Sequence, residues 1–194
     1  MPTIYLVRHG QTDWNAEDRL QGQIDMPINA KGRSQAKCNG ETLARLTGAP
    51  GRFDFVASPL GRTRETMEII RDVLGMKPDS YRTDDLLKEI HFGEWQGRTW
   101  DELRAERPDE IAARFDDPWN TVAPGAGGES FAMLSVRAVG WLGTVTRDTV
   151  AVTHGGVIRC VKEYIEKLPQ NEIPHIDIPQ DRIYAVKEVE VELI

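Results

Sequence analysis

The sequence predicts an α/β domain built on a mostly parallel sheet, and three observations lead there. Short runs of β-branched, aromatic and other apolar residues at 3–7, 53–57 and 149–153 alternate with longer segments of helical period. Each run stops abruptly at a polar group: Arg8-His9-Gly10, Ser58-Pro59-Leu60 and His154-Gly155-Gly156. Strands that alternate with helices fold most simply with the strands parallel and the helices packed on the sheet faces.

Taken in order, residues 3–7 read as a buried strand, followed by a polar loop to about Ile28. Asn29 can cap a helix over 30–46, with Gly48 just past its end. After the strand at 53–57, Met67, Ile70 and Leu74 share one face of a helix over 62–74 that Gly75 stops. Thr99-Trp100-Asp101-Glu102 has the form of a capping box and starts a helix interrupted by Pro108. Residues 118–128 read as loop. Phe131, Leu134, Ala138, Trp141, Leu142 and Val145 then line one face of a helix over 130–147. The strand at 149–153 leads into a helix over 157–168, and the chain from Ile183 onward alternates as strand. With no repeat or linker, residues 1–194 read as a single domain.

Composition narrows the class. The 40% hydrophobic and 28% charged residues are those of a globular protein. No apolar run is long enough to span a bilayer, and the first one meets Arg8 and His9 without a basic segment before it. Cytoplasmic residence is therefore expected. A formal charge of -7 argues against nucleic acid or an anionic membrane as the main partner, while leaving room for a small anionic substrate in a locally basic pocket. Cys38 and Cys160 make no disulfide framework and no metal-ligand spacing; both are expected to be reduced residues in or near the core.

In a parallel sheet, ligands bind beyond the carboxyl ends of the strands. The three polar junctions should therefore meet in one crevice with two histidines and at least two arginines. Arg8 and Arg62 suit phosphoryl oxygens, since guanidinium offers paired donors and stays charged. At about 4 Å and an effective dielectric near 20, each is worth on the order of 4 kcal/mol before desolvation. Gly10, Gly155 and Gly156 would let backbone amides approach those oxygens.

Arg8-His9-Gly10-Gln11-Thr12-Asp13-Trp14-Asn15 resembles the R-H-G-E-T-x-W-N signature of the histidine phosphatase superfamily, the phosphoglycerate mutase-like family. Further segments are similar in the same order: Gly22 to Gly32, Ser58 to Thr66, Glu89 to Gly97, Gly128-Glu129-Ser130, and Thr153-His154-Gly155-Gly156. The resemblance implies a three-layer αβα sandwich with His9 as a nucleophile that becomes phosphorylated. It gives Arg8, Arg62 and His154 the phosphoryl oxygens and Glu89 the role of proton donor and acceptor. It places Asn15, Gln21, Gly22 and Gly155 beside the substrate, and it calls for no metal or other cofactor. Gln11, Thr63 and Gln96 depart from the usual Glu, Ala and Glu without removing a group this chemistry needs.

His91 and Glu94 rival Glu89 as acid and read as rim or surface. His175 reads as structural or solvated. Arg64, Arg98, Arg104, Arg107 and Arg114 read as a solvated helical face, the alternative being that one or two reach a distal carboxylate or second phosphate on the substrate, and Trp95, Trp100 and Trp119 read as packing in preference to substrate stacking. Residues 98–128 form a short cap in this reading, where the mutases carry a long insertion, and Gly156 stands where mutases commonly have Asn. The expected function is a metal-independent phosphomonoesterase working through a phosphohistidine on a small phosphorylated metabolite. A cofactor-dependent phosphoglycerate mutase and a non-catalytic phospho-ligand-binding regulator are the alternatives. The oligomeric state and the physiological substrate are left open by the sequence.

Overall fold

The three short runs are strands in the computed structural model, which describes residues 2–187 and 190–194. They form β1 (Ile4–Arg8), β2 (Asp54–Ala57) and β4 (Thr149–Thr153), with β3 (Arg82–Thr83), β5 (Ile183–Lys187) and β6 (Glu190–Leu193) completing one sheet. The strand order is β3-β2-β4-β1-β5-β6. Ala151 of β4 lies opposite Leu6 of β1 on one side and Val56 of β2 on the other, both pairings parallel. The three strands therefore end at the same edge of the sheet.

The sheet is mostly parallel as expected, and two strands complete it in the antiparallel sense. β5 is antiparallel to β1, and β6 to β5. The strand expected from Ile183 onward is thus two paired strands, and its residues 188 and 189 lie outside the described residues. β3 was not expected; it is too short to carry a period.

The helices are α1 (Asp13–Ala16), α2 (Ala30–Thr47), α3 (Gly61–Val73), α4 (Trp100–Glu106), α5 (Pro108–Asp116), α6 (Phe131–Thr144) and α7 (Gly155–Glu166). α1 interrupts the expected loop because Thr12 and Asn15 cap each other's backbone amides. Pro108 opens α5 at its first position, where a missing N–H costs nothing, so it starts a helix as well as interrupting one. α6 ends at Thr144, short of 147, and α7 begins at Gly155, two residues before the expected 157. None of the described helices is long and apolar enough to cross a membrane.

Alternation along β1 builds the three layers. Ile4 and Leu6 pack with Leu134 and Trp141 of α6 and Ile158 of α7, whereas Tyr5 and Val7 pack with Leu43 of α2 and Met67 and Ile70 of α3. Full burial of each such aliphatic side chain contributes about 1.5–3 kcal/mol. A smaller cluster of Trp95, Leu103, Ile111 and Ala123 underlies α4 and α5. Cys160 is buried in the α6–α7 layer as expected, but Cys38 is exposed: it lies on the outer side of α2, where the helical face has turned to solvent.

The exit from β1 is fixed by backbone meeting backbone. A Cβ on Gly10 would lie 2.3 Å from the Gly32 carbonyl oxygen, and one on Gly32 would lie 2.3 Å from that of Gln11. Neither backbone can yield without moving the start of α2, which Asn29 caps by accepting from Gly32 N at 3.0 Å. Gly32→Ala should therefore destabilise the protein by about 1–3 kcal/mol. Gly140→Ala, inside α6 with nothing within 4 Å of the added carbon, should stabilise it by about 0.5–1 kcal/mol. Urea midpoints measure both, and a harmless Gly32→Ala would show that the loop and α2 can part freely.

Candidate active site

His9 continues the β1–β4 ladder one residue past the strand, its N–H donating to Thr153 O at 3.0 Å. Its ring is almost fully buried, and Nδ1 lies 2.8 Å from the Gly10 carbonyl oxygen. Only a protonated Nδ1 can serve that acceptor, so in the neutral ring Nε2 carries the lone pair. Burial, then the charges of Arg62 and Arg8, hold the His9 imidazole well below the usual histidine range. A neutral ring with one free nitrogen is what a nucleophile requires.

The expected partners surround it. Arg62, in the first turn of α3, has no exposed surface; it donates to Gly22 O and Ile24 O at 2.7 Å each, and burial lowers its pKa to about 10. Arg8 donates to Ile178 O at 2.7 Å. His154 lies behind His9 with ring centroids 5.2 Å apart, and its Nε2 is 2.8 Å from Ser58 Oγ. Nε of Arg8, Nε of Arg62 and Nδ1 of His154 are buried without hydrogen-bond partners. An unmet buried polar group costs about 1–3 kcal/mol, so three around one histidine mark a place built to hold oxygens.

Asn15, Gln21 and Gly22 line the same cleft. The Asn15 carbonyl oxygen is taken by Thr12 N and Gln180 Nε2, each at 3.1 Å, which leaves its NH₂ for a ligand. Gly155 sits under the guanidiniums of Arg8 and Arg159. The amides of two other glycines are already used: Gly10 N donates to Thr66 Oγ1 at 3.0 Å, and Gly156 N to Glu89 Oε1 at 3.1 Å. The expectation that these two amides meet phosphoryl oxygens is corrected accordingly.

Glu89 lines the same cleft as His9, held by the amides of Gly156 and Ile90. Its backbone carbonyl accepts from Gln23 Nε2 at 2.9 Å and Arg137 Nη2 at 2.8 Å. Arg137 is itself paired to Glu129 at 2.8 Å, so the Gly128-Glu129-Ser130 segment fixes Glu89 through that arginine. The two rivals face elsewhere: His91 Nδ1 accepts from Gly93 N at 3.0 Å, and Glu94 pairs with Arg107 at 2.9 Å. The three departures from the signature serve the scaffold. Gln11 Oε1 accepts from Asn29, Thr63 Oγ1 donates to Ser58 O and Leu60 O, and Gln96 Oε1 accepts from Gln23 N.

The cleft, of about 530 Å³, is much larger than a phosphoryl group and extends under α4 and α5. Arg114 does not belong to a solvated face: it is buried, stacks on Phe131 with 5.4 Å to the ring centroid, and donates to Pro118 O. Trp95 and Trp119 are core, but Trp100 also lines the cleft, as do Arg104 and the exposed His175. Gln180 and Arg159 are among the lining residues that escaped the sequence. Gln180, which donates to His9 O at 3.1 Å, comes from the irregular stretch before β5 and gave no signal. Arg159 stands one turn after Gly155, a spacing that could have placed it on the same helix end.

The depressed basicity of His9 sets a pH expectation. A lowered imidazole pKa keeps the ring neutral as pH falls through the ordinary value of 6.5. In a ¹H–¹⁵N titration, Nε2 of His9 should stay unprotonated at pH 6. Protonation of His9 at or above pH 6.5 would show that burial and the two arginines do not control it.

Comparison with known proteins agrees with this geometry. The model of the histidine phosphatase superfamily (branch 1) matches residues 4–190. A metal-independent phosphoserine phosphatase of Arabidopsis thaliana is 35% identical over 163 residues, 81% of this chain, and the match spans 66% of that relative. A probable phosphoglycerate mutase, GpmB, of Salmonella paratyphi C is also 35% identical, over 87% of this chain and 77% of its own. The structure of a mycobacterial glucosyl-3-phosphoglycerate phosphatase superposes with a TM-score of 0.78 at 26% identity, covering 99% of this chain and 96% of that one. The chain belongs to the histidine phosphatase superfamily.

Proposed function

We propose that this protein is a metal-independent phosphomonoesterase that passes through a phosphohistidine at His9. The observation that carries the reading is the free Nε2 of a buried, neutral His9 beside three buried nitrogens that lack partners. In the first step the Nε2 lone pair attacks phosphorus, the ester P–O bond breaks, and protonated Glu89 gives its proton to the leaving oxygen. In the second, water attacks phosphorus, Glu89 takes the proton from that water, and the Nε2–P bond breaks to release phosphate. Arg8, Arg62 and His154 hold the phosphoryl oxygens, Asn15, Gln21 and Gly22 border them, and Gly155 leaves room for Arg8.

Two features favour hydrolysis over isomerisation. The segment 98–128, which we read as a short cap within a single domain, carries only α4 and α5 and leaves the cleft open to water. Gly156 has no space for a side chain, since a Cβ there would lie 2.3 Å from Glu89 Oε1. Relatives named as phosphatases support hydrolysis, while the GpmB relative is why isomerisation of 3-phosphoglycerate must be assayed alongside phosphate release. A small phosphorylated metabolite is the substrate class that fits the cleft.

If Glu89 protonates the leaving oxygen, its importance depends on how badly that oxygen needs a proton. Glu89→Gln should slow phosphorylation of His9 by glycerol phosphate about 10²–10⁴-fold, and by p-nitrophenyl phosphate far less. Equal losses in presteady-state phosphorylation would reduce Glu89 to a wall of the pocket. Because guanidinium groups neutralise the phosphoryl charge here, activity should also survive exhaustive EDTA treatment. A strict need for added Mg²⁺ would contradict the metal-independent reading.

A further inference from the structure

Two buried histidine rings lie edge to face with centroids 5.2 Å apart, and a carbonyl group fixes the proton of only one. His9 donates from Nδ1 to Gly10 O. His154 has no exposed surface, its Nδ1 has no partner, and its Nε2 lies 2.8 Å from Ser58 Oγ. That hydrogen bond can run either way, since a neutral imidazole carries its proton on either nitrogen. Its direction decides what the ring can offer a ligand.

A count of donors and acceptors settles the direction. Ser58 is fully buried, and among the described residues its Oγ has two polar neighbours, His154 Nε2 and, at 3.5 Å, the Leu60 N–H. The amide can only donate. If Nε2 were protonated as well, the oxygen would face two donors and the hydroxyl proton would have no acceptor. An unmet buried polar group of this kind costs about 1–3 kcal/mol. If instead the hydroxyl donates to an Nε2 lone pair, both groups are met and the imidazole proton sits on Nδ1. Burial, then the charge of Arg62, holds His154 well below the usual histidine range, so the ring is neutral and carries one proton.

Ser58 is held on both sides. Its N–H continues the β2–β4 ladder by donating to Val152 O at 3.0 Å, and its carbonyl accepts from Thr63 Oγ1 at 2.8 Å. Thr63, one of the departures from the signature, thus braces the turn that carries the hydroxyl.

We propose that Ser58 is a positioning residue: its hydroxyl donates to His154 Nε2 and fixes the imidazole proton on Nδ1, which makes His154 a neutral donor to a phosphoryl oxygen. The inference rests on the phosphatase reading for what His154 faces. The two histidines then share one tautomer and use opposite ends of it. His9 offers the Nε2 lone pair to phosphorus, and His154 offers the Nδ1 proton to an oxygen.

Long-range ¹H–¹⁵N correlation on the wild-type protein near neutral pH reads the tautomer without turnover. The His154 signals are identified by their loss in His154→Gln. The proton should be on Nδ1, and a proton on Nε2 in the wild type would overturn the proposal. Ser58→Ala should let the proton populate Nε2. It should also weaken vanadate binding, measured by calorimetry, about 10- to 100-fold, the range of a hydrogen bond to a charged group. An unchanged tautomer or an unchanged vanadate affinity in Ser58→Ala would equally overturn the role of Ser58. Phosphate release by the wild-type enzyme is scored separately. Tight vanadate binding and the expected tautomer without any hydrolysis would sink the phosphatase reading and leave the positioning role standing.

Discussion

Everything in the site depends on how the chain leaves β1. His9 is placed by a ladder bond to Thr153, and the next residue must be glycine because its Cα faces the backbone of Gly32. That contact turns the Gly10 carbonyl toward the imidazole and ties the first turn of α2 to the end of the strand. One close approach of two backbones thus sets the direction of the chain, the tautomer of the ring and the seat of a helix. A side chain at either glycine would disturb all three together.

The parallel trio of β2, β4 and β1 supplies the rest of the cradle. Because β4 pairs with both neighbours, Ser58 and His154 arrive at the same level as His9, and Arg62 enters from the first turn after β2. The arrangement is costly in charge terms. Burial depresses the basicity of both histidines and of Arg62, and the like charges add to that effect. Such a cluster destabilises the unliganded fold and becomes favourable only with an anion in place, which is how electrostatic preorganisation serves catalysis.

Much of this was legible from residue order. The runs at 3–7 and 149–153 announced buried parallel strands, and Asn29 and Thr99 each cap a helix as their spacing suggested. What escaped was set by tertiary context. Two-residue β3 exists only because β2 offers an edge, and Gln180 reaches His9 from an irregular stretch with no period to read. Arg114 looked like its solvated neighbours because sequence spacing cannot tell which guanidinium folds inward over Phe131. Gly156 was read correctly as a residue that must be small, but for the wrong reason: the space belongs to Glu89 and not to a phosphoryl oxygen.

The central claim is that Nδ1 of His9 is occupied by the Gly10 carbonyl and Nε2 is the nitrogen that reacts. The most direct measurement is the position of phosphate on the trapped intermediate, read by ³¹P–¹H correlation or by mass spectrometry of the acid-labile phosphopeptide. The account predicts an Nε2 phosphohistidine at residue 9 that disappears in His9→Ala. Phosphate on Nδ1, on another residue, or a label that survives His9→Ala would contradict it.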